Sequence, residues 1–285
     1  MCIIMHVMHT YAIPPKPWIV KYGGSARPGA TPEDPLLDEV AALHAAGERI
    51  VLVHGGGPEI DTALRERGIA GARFDGLRAT DERSLAVIEM VLCATINKRI
   101  VRALQDRGVP SVGISGQDGG TLRARRSTRF DGRLGSVGER VACDPRLLAA
   151  LLAMPTIPVL APLALEIDKA AALNVNADEA AAAVAAIFPE SALFFVTDIA
   201  RVRSIAEDPR SGIDRLTLST ARAFLASEQC RDGMRPKLRA AIAACEGGAE
   251  AAYICLARPG ALRAARECND ATIIAEAEPR AKSAN

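Results

Sequence analysis

A repeated change of period constrains this chain more than any other feature. Short apolar runs alternate with longer segments whose apolar residues recur every three or four positions. WIVKYGG (18–24) precedes LLDEVAALHAAG (36–47), and RIVLVHGGG (49–57) precedes PEIDTALRERG (58–68). A helical pattern runs from Thr80 to about Gln105, with Thr80 and Asp81 as N-cap chemistry and Gly108 as a stop, before the strand-like VPSVGIS (109–115). DPRLLAALLA (144–153) and TIPVLAP (156–162) continue the rhythm. The second half repeats it through ADEAAAAVAAIF (177–188), ALFFVTD (192–198), MRPKLRAAIAAC (234–245), AAYICLA (251–257), PGALRAA (259–265) and ATIIAEA (271–277). Strands separated by helices of this length read as βαβ crossovers, which predicts an α/β fold with a mostly parallel sheet covered on both faces. The rhythm breaks at 119–143, where short alternating runs around Asp131-Gly132 predict a hairpin.

A length of 285 residues is comfortable for two lobes. A net charge of +1 excludes a global basic field of the kind that gathers nucleic acid. Seven scattered cysteines form no CxxC pair, which fits reduced thiols in a cytoplasm better than a disulfide framework or a zinc site. Residues 1–17 read as a loose leader, without the basic start and cleavage site of a signal peptide. No segment has the apolar length of a membrane span.

Two strand ends carry glycines: Lys21-Tyr22-Gly23-Gly24 and His54-Gly55-Gly56-Gly57. Glycine there provides positive φ or lets a ligand approach the backbone closely. Pro58 fits the first turn of a helix, whose free N–H groups favour an anion. A ligand-free tight turn is the plainer alternative. The loop at 115–120 is a third glycine-rich segment. Neither the P-loop pattern nor GxGxxG occurs. Lys21 ends an otherwise apolar strand, a poor core position for a lysine unless it meets an anion or reaches solvent along an edge strand. Asn174, Asn176 and Asp178 alternate and would share one face of an extended segment; N-capping is the structural alternative for Asp178. Lys237 falls in the first turn of a predicted helix, where a cation is disfavoured unless an anion joins it. A solvated lysine is the plainer reading.

Taken together, KYGG (21–24), HGGGPEI (54–60), GLRATD (76–81), VLCATINK (91–98), SGQDG (115–119), LGSVGE (134–139), NVNADEAA (174–181), VTD (196–198) and DGMRPK (232–237) resemble the amino acid kinase family, and within it the N-acetylglutamate kinases. The resemblance implies a three-layer αβα sandwich with a central mostly parallel sheet, the carbamate kinase-like fold. It implies an N-terminal lobe (18–170) that binds the acceptor and dimerises, and a C-terminal lobe (171–285) that binds nucleotide. The expected reaction is ATP-dependent phosphorylation of the side-chain carboxylate of an N-acylated acidic amino acid, with Mg²⁺ carried by the nucleotide and no metal ligand in the chain. By the same resemblance Lys21, Lys237 and Asp178 are catalytic. Gly55, Gly56, Arg78, Asn174 and Asn176 bind the acceptor. Gly23, Gly24, Thr197, Asp198, Met234 and Lys237 serve the nucleotide, with neither nucleic acid nor membrane as partner.

Some positions depart from the pattern. PLALEIDKAAALN (162–174) lacks an expected glycine turn, Arg201 stands where relatives have Gly, and Ala271 replaces another Gly. The last two support an alternative, a catalytically weakened regulatory homologue. Arg123, Arg125, Arg126, Arg129 and Arg133 crowd the predicted hairpin. Either they form a solvated face, or they steer a small acidic carrier protein bearing aminoadipate or glutamate.

Overall fold

The computed structural model describes residues 16–23, 34–74, 76–205, 207–231 and 233–276. Most of the leader, together with Gly24, lies outside the described residues.

In chain order the elements are β1 (Trp18–Tyr22), α1 (Pro35–Ala45), β2 (Ile50–His54), α2 (Gly57–Glu66), β3 (Arg73–Phe74), β4 (Leu77–Arg78), α3 (Glu82–Glu89), α4 (Asn97–Gln105), β5 (Ser111–Ser115), β6 (Leu122–Arg126), β7 (Gly138–Cys143), α5 (Pro145–Leu152) and β8 (Ile157–Ala161). There follow β9 (Leu163–Glu166), β10 (Ala172–Asn174), α6 (Ala177–Ile187), β11 (Ala192–Thr197), β12 (Val202–Arg203), β13 (Gly212–Ile213), β14 (Arg215–Thr217), α7 (Leu218–Ala226), α8 (Met234–Gly247), β15 (Ala251–Leu256), α9 (Ala261–Arg266) and β16 (Ala271–Ala275). A π-helical stretch, Met90–Ile96, joins α3 to α4 as one continuous helix. Asp81 alone caps its start, accepting from the Ser84 N–H at 2.7 Å. Thr80 takes no part in the cap, because it is fully buried and its hydroxyl donates to the Arg78 carbonyl.

The main sheet has eight strands in the order β14-β16-β15-β11-β1-β2-β8-β5. From β15 to β5 all neighbours are parallel, whereas β16 runs antiparallel to β15 and carries β14 with it. A second sheet, β10-β9-β6-β7, contains the expected hairpin as the antiparallel pair β6–β7. Asp131-Gly132 is not a two-residue turn, however. It belongs to a 3₁₀ turn, Arg129–Gly132, in which Phe130 and Asp131 both have φ near 54°.

Alternation along the strands divides the core in two. Trp18, Val20 and Tyr22 of β1 face one layer with α1 to α4 and α9, while Ile19 faces the other with α5 to α8. The Phe194 ring stacks between Trp18 and Tyr253, with centroids 4.8 Å away on each side. Each such buried ring is worth roughly 1.5–3 kcal/mol in transfer free energy. The three layers follow from this two-sided burial. The first and last described helices are also tied, because buried Glu39 of α1 accepts the Arg263 N–H of α9 at 2.9 Å.

The segment expected to need a glycine turn closes without one. β9 and β10 pair antiparallel, and Asp168 takes the left-handed conformation at φ 70°. That conformation costs an L-residue free energy that glycine avoids. Asp168→Gly should therefore raise stability by about 0.5–1 kcal/mol, read as a higher urea midpoint at unchanged m-value. A lower midpoint would show that the aspartate contributes to the turn.

Candidate active site

Lys21 sits two positions after Ile19, so its side chain falls on the second face of the sheet near the carboxyl end of β1. That face is covered there by α6 and α8. Asn176 caps α6, its Oδ1 accepting from the N–H groups of Asp178 at 2.7 Å and Glu179 at 3.3 Å. The cap is therefore Asn176, not Asp178, and the Asp178 carboxylate is left to turn inward. Its Oδ1 lies 2.9 Å from Lys21 Nζ, an ion pair without hydrogen-bond alignment. Its Oδ2 accepts from Lys237 Nζ at 3.3 Å. Two cations from β1 and α8 thus meet one carboxylate whose side chain is only 6% exposed. Burial would push the Asp178 pKa up, but the two ammonium charges outweigh it and hold the carboxyl below its ordinary value.

The glycine loop leaves β2 beside this triad. Gly23 has φ 113°, a conformation that requires glycine, and Gly55 donates its N–H to the Tyr22 carbonyl at 3.1 Å. A Cβ on Gly56 would meet Ile96 Cδ1 at 2.5 Å and Leu92 Cδ2 at 2.9 Å. Before the loop, His54 is fully buried on the opposite face from Lys21. Burial lowers its pKa to about 4 by stripping the imidazolium of water; the Gly55 carbonyl opposes this and the Arg99 charge adds to it.

Arg78, at the end of the β3–β4 hairpin, points its guanidinium at the start of α2. It pairs with Asp61 and donates to the Gly57 carbonyl at 3.2 Å. Arg73 holds the same carboxylate at 2.9 Å. Burial raises the Asp61 pKa, and hydrogen bonding and charge from Arg78 and Arg73 more than reverse this. Asn174 Nδ2 donates to the Thr80 hydroxyl at 3.3 Å.

Lys21, Gly55, Gly56, Arg78, Asn174, Asn176 and Asp178 line a single cavity at the carboxyl end of the sheet. Lys237 joins it through Asp178. Gly23, Thr197, Asp198 and Met234 are not in its lining; Thr197 ends β11, the strand beside β1, Asp198 follows it, and Met234 opens α8. The 115–120 loop ends β5 at the same sheet edge but does not reach the cavity lining. Asp61 and Thr80 brace the site; sequence reasoning did not single out Asp61 and read Thr80 only as a helix cap. Asp61 falls one helical turn after Gly57, a spacing that puts both on one helix face.

The hairpin arginines are partly occupied within the chain. Arg126 pairs with Glu166 at 2.8 Å, Arg133 covers the Phe74 ring at 4.9 Å, and Arg129 lies 5.2 Å from the Phe130 ring. Arg201 pairs with Asp214 at 3.1 Å. Ala271 is an ordinary buried strand residue opposite Cys255.

An open, mostly parallel sheet with Lys21 and the glycine loop at the carboxyl ends of its central strands defines an α/β protein whose cavity lies where such sheets offer a ligand site, at a switch of strand order. The chain belongs to the amino acid kinase family, whose family model matches residues 16–255. It is 36% identical over 242 residues to an acetylglutamate kinase of Symbiobacterium thermophilum, covering 83% of this chain and 82% of that one. It is 38% identical over 236 residues to an acetylglutamate kinase of Caldanaerobacter subterraneus, covering 83% and 78%. Among solved structures, N-acetylglutamate synthase from Neisseria gonorrhoeae complexed with coenzyme A and N-acetyl-glutamate aligns with a TM-score of 0.76 at 25% identity, over 93% of this chain and 60% of that one. Carbamate kinase from Giardia lamblia bound to AMP-PNP aligns with a TM-score of 0.66 at 14% identity, over 93% and 100%, a likeness of fold alone.

Asp178→Asn would leave the buried Lys21 and partly buried Lys237 ammonium groups without their counter-charge. We expect it to lower stability by roughly 3 kcal/mol, and millimolar inorganic phosphate to restore more of that loss than it adds to the native protein. Equal phosphate effects on both proteins, measured by urea unfolding, would argue against an anion site here. The pH dependence follows the same charge. A carboxyl held low in the folded state contributes stability above its unfolded value of about 3.9, and loses it as pH falls through the lower folded value. The acid limb of the native stability curve should flatten in Asp178→Asn.

Proposed function

We propose that this chain is an ATP-dependent kinase that phosphorylates the side-chain carboxylate of N-acetyl-L-glutamate to an acyl phosphate, acting in the cytoplasm in synthesis of the arginine type. The observation that carries this reading is the Asp178 carboxylate shared by Lys21 and Lys237 beside a side-chain-free loop, in a chain so similar to acetylglutamate kinases.

The chemistry is a problem of charge. A carboxylate acceptor is ionised near pH 7 and needs no general base. It must be brought in line with an anionic phosphoryl group, so catalysis is positioning and electrostatic stabilisation. In this reading Lys21 and Lys237 neutralise the transferring group from β1 and α8, and Asp178 keeps them apart and oriented. Gly56 offers its backbone N–H group. Gly55, whose N–H is already given to Tyr22, keeps the loop bare of side chains. Arg78, braced by Asp61, holds the α-carboxylate of the acceptor, and Asn174 and Asn176 hold its amide edge. Gly23, Thr197, Asp198 and Met234 face the nucleotide, making residues 18–170 the acceptor lobe and 171–285 the nucleotide lobe. Mg²⁺ is assigned to the nucleotide phosphates because Asp178 is already shared by two ammonium groups. The free acceptor is favoured over one tethered to a carrier protein, since three of the five hairpin arginines are engaged within the chain. A homodimer would use the α3–α4 helix and the neighbouring edge strand β5, where Met90 and Val112 are exposed.

The test is ADP release with N-acetyl-L-glutamate, N-acetylaminoadipate or a carrier-bound amino acid as acceptor. Turnover with the first is expected, and its absence would end the assignment. Lys21→Ala and Lys237→Ala should each lower kcat by about 10²–10³ with the circular dichroism spectrum unchanged. Near-native kinetics in either variant would remove that lysine from the mechanism.

A further inference from the structure

The glycine loop is held from behind by two buried side chains that no step of the proposed mechanism uses. His54 ends β2, and its Nδ1 lies 3.0 Å from the Gly55 carbonyl oxygen. Asn97 opens α4, and its Nδ2 lies 3.2 Å from His54 Nε2, 3.2 Å from the Ile114 carbonyl and 2.9 Å from the Val159 carbonyl.

These contacts determine where the protons are. Two carbonyl oxygens around one end of the Asn97 amide require its NH₂ there, since a carbonyl only accepts. The same NH₂ faces His54 Nε2, which must then be the unprotonated nitrogen. The Gly55 oxygen likewise only accepts, so Nδ1 carries the hydrogen. The imidazole is neutral and fixed in one tautomer, in keeping with its full burial. The arrangement has a cost that packing alone does not explain. Asn97 Oδ1 is buried without a hydrogen-bond partner among the described residues. A Cβ on Gly113 would come within 1.9 Å of that oxygen, so the amide fits only because residue 113 lacks a side chain. A leucine-like residue at 97 would avoid the unpaired oxygen.

A trans peptide directs its N–H opposite to its C=O. The bond from His54 therefore fixes which way the Gly56 N–H points. Gly56 lines the cavity, and the neighbouring Gly55 N–H is already spent on Tyr22. We infer that His54 and Asn97 are positioning residues: Asn97 fixes the His54 tautomer, and His54 holds the Gly55–Gly56 peptide so that the Gly56 N–H presents to the phosphoryl group. This rests on the kinase reading above for what occupies the cavity. The hydrogen-bond chain itself does not depend on it.

The experiment compares His54→Asn, whose amide nitrogen can replace Nδ1 as donor to Gly55, with His54→Leu, which has no donor. Long-range ¹H–¹⁵N NMR of the native protein should show a neutral Nδ1–H tautomer for His54. His54→Leu should lower kcat about 100-fold with the acceptor KM changed less than about threefold, while His54→Asn keeps kcat within about fivefold of native. Calorimetry with inorganic phosphate should show weaker binding to His54→Leu than to the native protein or His54→Asn. An Nε2–H tautomer, an imidazolium at pH 7, a folded His54→Leu with native kcat, or equal losses in both variants would overturn the inference. Should His54→Leu fail to fold, the tautomer and the His54→Asn kinetics decide. If the native protein turns over no acceptor, the kinase reading falls, and the tautomer and phosphate binding still test this one.

Discussion

One carboxylate between two ammonium groups sets the terms for the rest of this molecule. Removing three ions from water is costly, and a buried ion pair seldom repays that cost better than well-packed apolar side chains would. The triad of Asp178, Lys21 and Lys237 carries a net positive charge, so it is incompletely neutralised as it stands. An interior that keeps such an excess is suited to an anion that arrives and leaves. Asp178 makes the free state tolerable, because without it the two lysines would repel each other across the cleft.

The backbone places these charges by simple periodicity. Alternation along β1 sends Trp18, Val20 and Tyr22 into one apolar layer and Lys21 toward the other. Alternation along β2 sends His54 the opposite way, behind the glycine loop. The loop therefore runs between a charged face and a neutral polar face. Electrostatic groups already in place before the reaction need no rearrangement during it, which is where most of their effect on rate originates.

Much of this was legible in the residues. The change from period two to period three or four located the principal strands and helices, because crossover connections demand that rhythm. Lys21 stood out since a lysine ending an apolar strand needs an explanation. Other parts resisted for physical reasons. Asn176 and Asp178 are both good caps, and only the three-dimensional path of α6 shows that Asn176 caps while Asp178 turns inward. Thr80 and Asp81 posed the same ambiguity, and burial decided it. The two-residue strands β3 and β4 are too short to show a period, so the hairpin that carries Arg78 was not visible. Glycine is the residue a left-handed turn favours, and at Asp168 an aspartate in that conformation serves in its place. Long-range pairs such as Arg78 with Asp61 and His54 with Asn97 join residues from separate elements, and no local pattern encodes them.

The position of β1 has a consequence for how the chain is made. Its partner on one side, β2, follows almost at once, but its partner on the other, β11, begins at Ala192. A nascent chain therefore leaves the ribosome with its future innermost strand open along one edge until two-thirds of the polypeptide has emerged. Unpaired strand edges recruit other chains. The organisation that places Lys21 at the centre of the finished enzyme thus also sets a long vulnerable interval during translation.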